Sequence, residues 1–161
     1  MNLIARALRA LQPRTTAERG LYFDGINDYV AVQTGPKLDL PHFTIEAWIN
    51  PSHSKVNPII YKGTALDTTA NPGTSRTHFL FGLDVNNQVV FHTEQYELRG
   101  LSPIPLGVFT HVTVTVSGSE VMFYINGRPD TMTRATVTPI SPIGTTLNIG
   151  ADLGYEFFAG S

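Results

Sequence analysis

Two acidic side chains stand close together in the stretch TEQYEL, where Glu94 and Glu97 are three residues apart. Retaining hydrolysis of a glycosidic bond uses two carboxyl groups about 5–5.5 Å apart. Side chains two or four residues apart share a face of a β-strand, so a spacing of three points these carboxylates to opposite faces. Glu46 stands alone in its own stretch. The sequence therefore offers no catalytic carboxylate pair, and we predict that the chain is not an enzyme.

Other catalytic and metal-binding patterns are equally absent from the sequence. There is no cysteine, and the five histidines are scattered without an HxH or HxxxH pair; they are His42, His53, His78, His92 and His111. Serine and histidine occur without a nucleophile elbow or triad pattern, and no phosphate-binding glycine loop is present. The sequence excludes a cysteine nucleophile and gives little support to a zinc site.

A candidate ligand surface lies in the stretch HFTIEAWIN. Glu46, Trp48 and Asn50 alternate there with apolar residues, so they share the strand face opposite the core. A tryptophan flanked by polar groups can stack on the apolar face of a sugar ring. The alternative is that Trp48 packs beneath a loop or the N-terminal segment and that Glu46 pairs with a basic residue. Tyr96, Arg99 and the loop Lys62–Thr77 are candidates for a second binding rim, on the general tendency of loops to carry function.

A cluster of oxygen-bearing side chains, Asp24, Asn27 and Asp28, lies in FDGIND. Such groups can hold a calcium ion. The alternative is turn chemistry, in which Asp and Asn next to glycine bond their own backbone. The cofactor prediction is accordingly none, or one structural calcium ion.

The elements that must position these residues are β-strands. From Leu21 onward apolar and polar residues alternate with a period of two, and turn signals such as Asp24-Gly25 and Asn126-Gly127 separate the runs. Strand-like runs recur about every ten residues, which is typical of an antiparallel sandwich. With 161 residues, 42% of them hydrophobic, the chain is long enough for one well-packed domain. We predict an all-β, two-sheet jelly roll over residues 20–161.

The first nineteen residues have a different pattern. In MNLIARALRALQPR the apolar residues Leu3, Ile4, Leu8 and Leu11 fall on one helical face, which predicts a short amphipathic helix over 1–19. The helix could pack on its own domain, dock a partner or a neighbouring copy, or lie on a membrane surface. It is too short and too rich in arginine for a transmembrane helix or a clear signal peptide.

Four stretches together resemble one family. They are LYFDGINDYVAV, FTIEAWINP, GVFTHVTVTVSGSEVMFYINGRP and LNIGADLGYEFFAGS. In order and spacing they are similar to the LamG-like jelly-roll domains of the concanavalin A-like lectin/glucanase superfamily. The resemblance implies a calcium near the first and last strands in some members. Members usually continue with one more strand after the last of these stretches, so we expect the inward-pointing residue of Phe157 and Phe158 to be partly uncovered.

The fold itself serves many functions. The resemblance and the missing carboxylate pair together favour a non-catalytic binding or adhesion module that recognises carbohydrate or protein surfaces. The alternative is a self-assembling component of a virion, tail fibre or similar large assembly, docked through the N-terminal helix and an open sheet edge. We expect an extracellular or surface-exposed location. The body after residue 20 holds seven basic and twelve acidic side chains, so nucleic acid is not an expected partner.

Overall fold

The fold is taken from a computed structural model of the chain. The residues that it describes are 3–5, 20–33, 38, 40–63, 77–93, 96–118, 120–134, 146–152 and 156–161.

Strands make up the regular structure of the described residues, as the period-two pattern predicts. In chain order they are β1 Leu3–Ala5, β2 Phe23–Asp24, β3 Val30–Gln33, β4 His42–Ile49, β5 Asn57–Gly63, β6 Thr77–Leu83, β7 Gln88–His92, β8 Glu97–Pro103, β9 Thr110–Ser117, β10 Glu120–Ile125, β11 Arg128–Arg134, β12 Thr146–Ile149 and β13 Ala159–Gly160. They form a seven-stranded sheet of order β1-β3-β12-β5-β6-β7-β8, a four-stranded sheet of order β11-β10-β9-β4, and the small pair β13-β2. All pairings are antiparallel, which confirms the predicted jelly-roll sandwich.

The hydrophobic core lies between the two large sheets. Three alternate residues of β9 point inward and are buried: Val112, Val114 and Val116. Phe123 of β10 is buried in the same core. On β4 the same alternation turns the apolar residues inward and leaves the polar ones and Trp48 exposed. In the four-stranded sheet the core therefore takes the apolar face of β4, β9 and β10, and the other face of these strands points outward.

One side of the sandwich is closed by Asp130, which sits on β11 and binds the backbone of β8. Its carboxylate accepts hydrogen bonds from the N–H of Leu101 at 2.8 Å and of Ser102 at 3.2 Å. Because β8 and β11 are the edge strands of different sheets, this one side chain joins the two layers.

Removing this link should measurably weaken the fold. We expect Asp130→Ala to lower the free energy of unfolding by about 1–3 kcal/mol, because two backbone donors lose a charged acceptor. Urea denaturation measures the change. Asp130→Asn is the matched control, since it keeps one acceptor oxygen and should lose less. Equal stability of Asp130→Ala and the wild type would contradict this role.

The predicted N-terminal helix needs a correction at Leu3–Ala5. These residues form β1, and they pair with β3 in the register Leu3↔Val32, Ile4↔Ala31 and Ala5↔Val30. A helix of about ten residues is marginal without tertiary support, whereas the edge of β3 offers unpaired backbone groups to an extended chain. The other two residues of the predicted docking face, Leu8 and Leu11, lie outside the described residues.

The second correction concerns the phenylalanines near the end of the sequence. Phe158 is the inward-pointing one, and it is buried, only 3% exposed, where partial exposure was expected. Its ring meets that of Phe23 edge-on, with centroids 6.1 Å apart, because β13 pairs with β2 and brings the two together. On its other side residues 159–161 bond to residues 50–52, through Ser52 N–H to Ala159 O at 2.8 Å and a reciprocal pair between Asn50 and Ser161.

Among the described residues, no helix has the length and apolar character needed to cross a membrane.

Candidate functional site

The candidate site is the outer face of the four-stranded sheet, where β4 and β9 lie side by side. The register sets Trp48 opposite His111 and Glu46 opposite Thr113. In a strand these residues alternate with the core positions, so all of them project away from the core. The Trp48 side chain is 65% exposed. The structure therefore does not support the alternative in which Trp48 packs beneath a loop.

His111 connects the two predicted site residues on β4. Its ring lies 5.2 Å from the ring of Trp48, at an interplanar angle of 43°. Its Nε2 is 3.5 Å from Oε2 of Glu46. The imidazole thus stands between the indole of Trp48 and the carboxylate of Glu46. Local sequence patterns do not identify His111 as a site residue, because its pairing with Trp48, 63 positions earlier, is set by tertiary register.

The backbone of His111 is fixed by the neighbouring hairpin. The His111 N–H donates to Oδ1 of Asn126 at 3.0 Å, and the Asn126 N–H donates to the His111 carbonyl at 2.8 Å. Asn126 and Gly127 have φ values of +50° and +75°, as the Asn-Gly turn joining β10 to β11 requires. This turn, which the sequence predicted, therefore also holds the site histidine in place.

The exposed face continues onto β10. Tyr124 pairs with Thr113 of β9, which on its other side pairs with Glu46 of β4. The Tyr124 hydroxyl donates a hydrogen bond to the sulfur of Met122 at 3.6 Å. Tyr124 is half-buried. We call the outward side chains of Glu46, Trp48, His111 and Tyr124 the platform. It combines two aromatic rings with an acceptor and an imidazole on one rigid sheet.

The remaining predicted ligand residues are Asn50 and Tyr96, and residues 64–76 of the predicted second rim lie outside the described residues. Asn50 follows β4 and is held by its backbone pair with Ser161. Tyr96 lies between β7 and β8 of the seven-stranded sheet, where its N–H donates to Oγ1 of Thr93 at 3.2 Å. Tyr96 does not share the platform's sheet, so a ligand role for it stays a separate prediction.

The predicted calcium ligands have turn contacts in the structure. Oδ1 of Asp24 accepts the N–H of Ile26 at 2.8 Å and of Asn27 at 3.3 Å, and Oδ2 of Asp28 accepts the Asp24 N–H at 3.1 Å. Within the described part of the chain, no three His, Asp or Glu side chains are grouped so as to hold a metal. These bonds match the turn alternative, and a calcium ion there stays a prediction.

Glu97, one of the two acidic residues in TEQYEL, takes part in an ion pair. Its carboxylate accepts from Nε of Arg99 at 2.8 Å and contacts Nη2 as well, while Nη1 of Arg99 lies 3.2 Å from Oδ2 of Asp84. The hydrogen bond to Glu97, and then its charge, raise the pKa of Arg99. Glu97 is therefore held as a partner of arginine, and its companion Glu94 lies outside the described residues.

Comparison with known proteins gives a family match and structural neighbours. The sequence model described as "Concanavalin A-like lectin/glucanases superfamily" matches residues 24–161. No curated protein matches the sequence.

Similar solved structures belong to proteins of several kinds. Trypanosoma rangeli sialidase has a TM-score of 0.61 at 16% identity, over 89% of this chain and 24% of its own. A Bacteroides ovatus protein provisionally described as carbohydrate-binding has a TM-score of 0.60 at 17% identity, over 86% of this chain and 40% of its own. Domain 4 of AbnA, an extracellular arabinanase of Geobacillus stearothermophilus, was solved with arabinotriose. It has a TM-score of 0.56 at 13% identity, over 99% of this chain and 77% of its own. The chain thus spans about a quarter of the sialidase, and these identities show a shared fold alone.

Proposed function

Because the chain belongs to the concanavalin A-like lectin/glucanase superfamily, we propose that it is a non-catalytic carbohydrate-binding module whose ligand lies on the platform. The observation that supports this most is the exposed Trp48, held against His111 on a flat strand face. A large aromatic ring kept in water on a rigid sheet gains stability when it stacks on an apolar sugar face.

The polar part of the platform complements such a ligand. The Glu46 carboxylate is exposed, at 68%, and can accept hydrogen bonds from sugar hydroxyls. His111 lies between Glu46 and Trp48, and either ring nitrogen can donate or accept according to its tautomer. The imidazole is a positioning group for the tryptophan as well as a direct contact.

The spacing of carboxylates supports binding without hydrolysis. Among the described outward residues of β4, β9 and β10, the other carboxylate is Glu120, four positions along β10 from Tyr124. Four residues of strand span about 13 Å. Glycosidases place their two carboxyl groups about 5–5.5 Å or about 6.5–9.5 Å apart, so Glu46 and Glu120 cannot act as a pair.

Two structural neighbours favour a carbohydrate over a protein ligand. One is described as carbohydrate-binding, and another was solved with arabinotriose. The latter belongs to an extracellular enzyme, so we place the module outside the cell or at a cell surface, where polysaccharides are accessible.

The test is Trp48→Ala, measured on a glycan array and then by calorimetry with the best array ligand. We expect a loss of affinity of at least about tenfold, because stacking on the indole is removed. The melting temperature should change little, since substitution of an exposed side chain usually alters stability by about 0.5 kcal/mol or less.

Two controls define the result. Trp48→Phe keeps an aromatic face and should retain part of the affinity. Leu101→Ala removes an equally exposed apolar side chain from the seven-stranded sheet and should retain all of it. If the wild type binds no glycan, or if Trp48→Ala binds as well as the wild type, the platform is not a sugar site.

A further inference from the structure

The outward residues of β9 form the floor of a groove that starts at the platform. β9 lies between β4 and β10, and its next outward residues after His111 are Thr113 and Thr115. Thr113 is only 8% exposed, whereas the Glu46 side chain opposite it is 68% exposed. Thr115 is half-buried, and its partner Thr44 is exposed. These short side chains are therefore recessed between the flanking strands.

The outward residues of β4 and β10 form the two walls of this groove. On β10, Tyr124 and Met122 are consecutive outward residues, and the hydroxyl of the first donates to the sulfur of the second at 3.6 Å. Their contact makes the β10 wall continuous over both positions. On β4, the wall begins at Trp48, whose ring lies against that of His111. The groove thus has an aromatic end and runs from there along β9.

Hydroxyl groups line the groove beyond its aromatic end. Thr44 and Thr115 are directly opposed in the register of β4 and β9, and opposed residues of antiparallel strands project side by side on one face. One pair further along, Oγ of Ser117 lies 3.4 Å from Nδ1 of His42. A hydroxyl group can both donate and accept a hydrogen bond. This part of the groove can therefore bond the hydroxyl groups of a sugar chain in either sense.

The charge of the groove disfavours an acidic ligand. Over their described residues, β4, β9 and β10 contain neither lysine nor arginine. The exposed Glu46 carboxylate lies one outward position from Trp48, so it would face a sugar stacked there. Glu120 belongs to the far end, where it is opposite Arg134 of β11 in register. A carboxylate or sulfate on a sugar at the aromatic end would therefore meet a like charge.

We propose that the groove binds a neutral, linear oligosaccharide of at least three sugar units, laid along β9 with one ring on Trp48. The inference rests on the proposed function and adds to it the class and the direction of the ligand. The outward face of β9 from His111 to Ser117 spans about 20 Å, which is much longer than one sugar ring. A single sugar would contact only the aromatic end, whereas a longer chain also reaches the hydroxyl groups of Thr44 and Thr115.

The experiment uses the fluorescence of the whole chain. Trp48 is the one tryptophan in the sequence, so its emission reports contact at the aromatic end. The neutral probes are arabinose, xylose and glucose with arabinotriose, xylotriose and cellotriose, and the acidic probes are galacturonic acid and trigalacturonic acid. Titrations are made at pH 8, where an ordinary imidazole is neutral.

We expect at least one neutral trisaccharide to bind at least about tenfold more tightly than its monosaccharide, because it adds hydrogen bonds to the stacked ring. Trigalacturonic acid should bind at least about fivefold more weakly than that trisaccharide, because of the charge of Glu46. The second difference should shrink at about 1 M salt, which screens exposed charges.

Variants test the two parts of the inference separately. The double variant Thr44→Val, Thr115→Val removes two hydroxyl groups and keeps β-branched side chains that suit a strand. It should lose at least about fivefold in trisaccharide affinity and much less in monosaccharide affinity. Ser102→Val removes an exposed hydroxyl group from β8 of the other sheet and should retain both affinities.

The charge is tested by Glu46→Gln, which keeps an acceptor oxygen and should abolish most of the preference for the neutral trisaccharide. Glu97→Gln makes the same change on β8 and should keep the preference.

The outcomes distinguish this inference from the proposed function. If monosaccharides and trisaccharides bind equally well and both change the emission of Trp48, the sugar site stands and the groove is wrong. The groove is also wrong if trigalacturonic acid binds as tightly as the neutral trisaccharides, or if the double threonine variant binds them as well as the wild type. If no probe binds, both the groove and the sugar site are overturned.

Discussion

Asn57→Asp is expected to lower the free energy of unfolding at neutral pH by about 3–5 kcal/mol, because it places an unpaired charge against two carbonyl oxygens. Asn57 is fully buried. Its Nδ2 donates to the carbonyls of His53 at 2.9 Å and Lys55 at 3.2 Å, and its Oδ1 accepts the N–H of Ala159 at 3.0 Å. A carboxylate keeps the acceptor but loses both donors.

The pH dependence of this variant has a defined sign. Burial and the facing carbonyls should raise the pKa of the introduced carboxyl group above its unfolded value of about 3.9. The neutral form is then favoured in the folded state. The destabilisation caused by the introduced carboxyl group is therefore smallest below its unfolded pKa, and it grows as the pH rises through the folded pKa. Urea denaturation at pH 4 and pH 7 measures the difference.

The matched control for Asn57→Asp is Asn86→Asp, which makes the same change in an exposed turn. It should alter stability by about 0.5 kcal/mol or less. If Asn57→Asp proves no more destabilising than this control, Asn57 does not have the structural role that its three hydrogen bonds indicate.

Gly160→Ala is expected to cost about 3–4 kcal/mol, because a Cβ at this position would lie 2.1 Å from the carbonyl oxygen of Asn50. The nearest atoms belong to the backbone of Asn50 and Pro51, so no side-chain rotation relieves the overlap. Gly160 also has φ = +133°, which L-residues rarely adopt. Relief requires residues 159–161 to separate from residues 50–52, and the cover over Phe158 would be lost with them.

Gly107→Ala separates the two contributions. Gly107 has φ = +72°, but a Cβ there would meet no atom within 4 Å. This variant should therefore show only the backbone strain, about 1 kcal/mol. Urea midpoints of both variants give the comparison, and a loss at Gly160 no greater than at Gly107 would show that the close approach to Asn50 does not matter.

The fold could be predicted from local patterns because alternation and turns are local properties. Val112, Val114 and Val116 alternate with polar residues, and they face the core as expected. The Asn126–Gly127 turn has the backbone angles that its residue types predict. The helix prediction is wrong at Leu3–Ala5 because the spacing there suits a helix, while the available partner strand lies about 27 residues further along the chain.

The candidate site was only half predictable, for a related reason. Glu46 and Trp48 lie on one strand, so alternation alone places them together. His111 joins them through a strand pairing that no local pattern encodes. The role of Asn57 is equally hidden from local patterns, because one of its three partners, Ala159, lies 102 positions away. Residues whose contacts depend on the pairing of strands far apart in the sequence can be identified only from the structure.

The position of β12 has a consequence for the order in which the chain can fold during synthesis. β12 lies between β3 and β5 and pairs with both, through residues 146–149. On the ribosome β3 and β5 emerge about a hundred residues earlier and cannot pair with each other in the native arrangement. Each keeps an exposed edge until β12 has left the exit tunnel, and nascent chains with exposed strand edges are prone to aggregate. We therefore expect folding to wait for β12 and to be slow, as non-local strand pairing demands, and the yield of native protein to increase with chaperones that shield nascent chains.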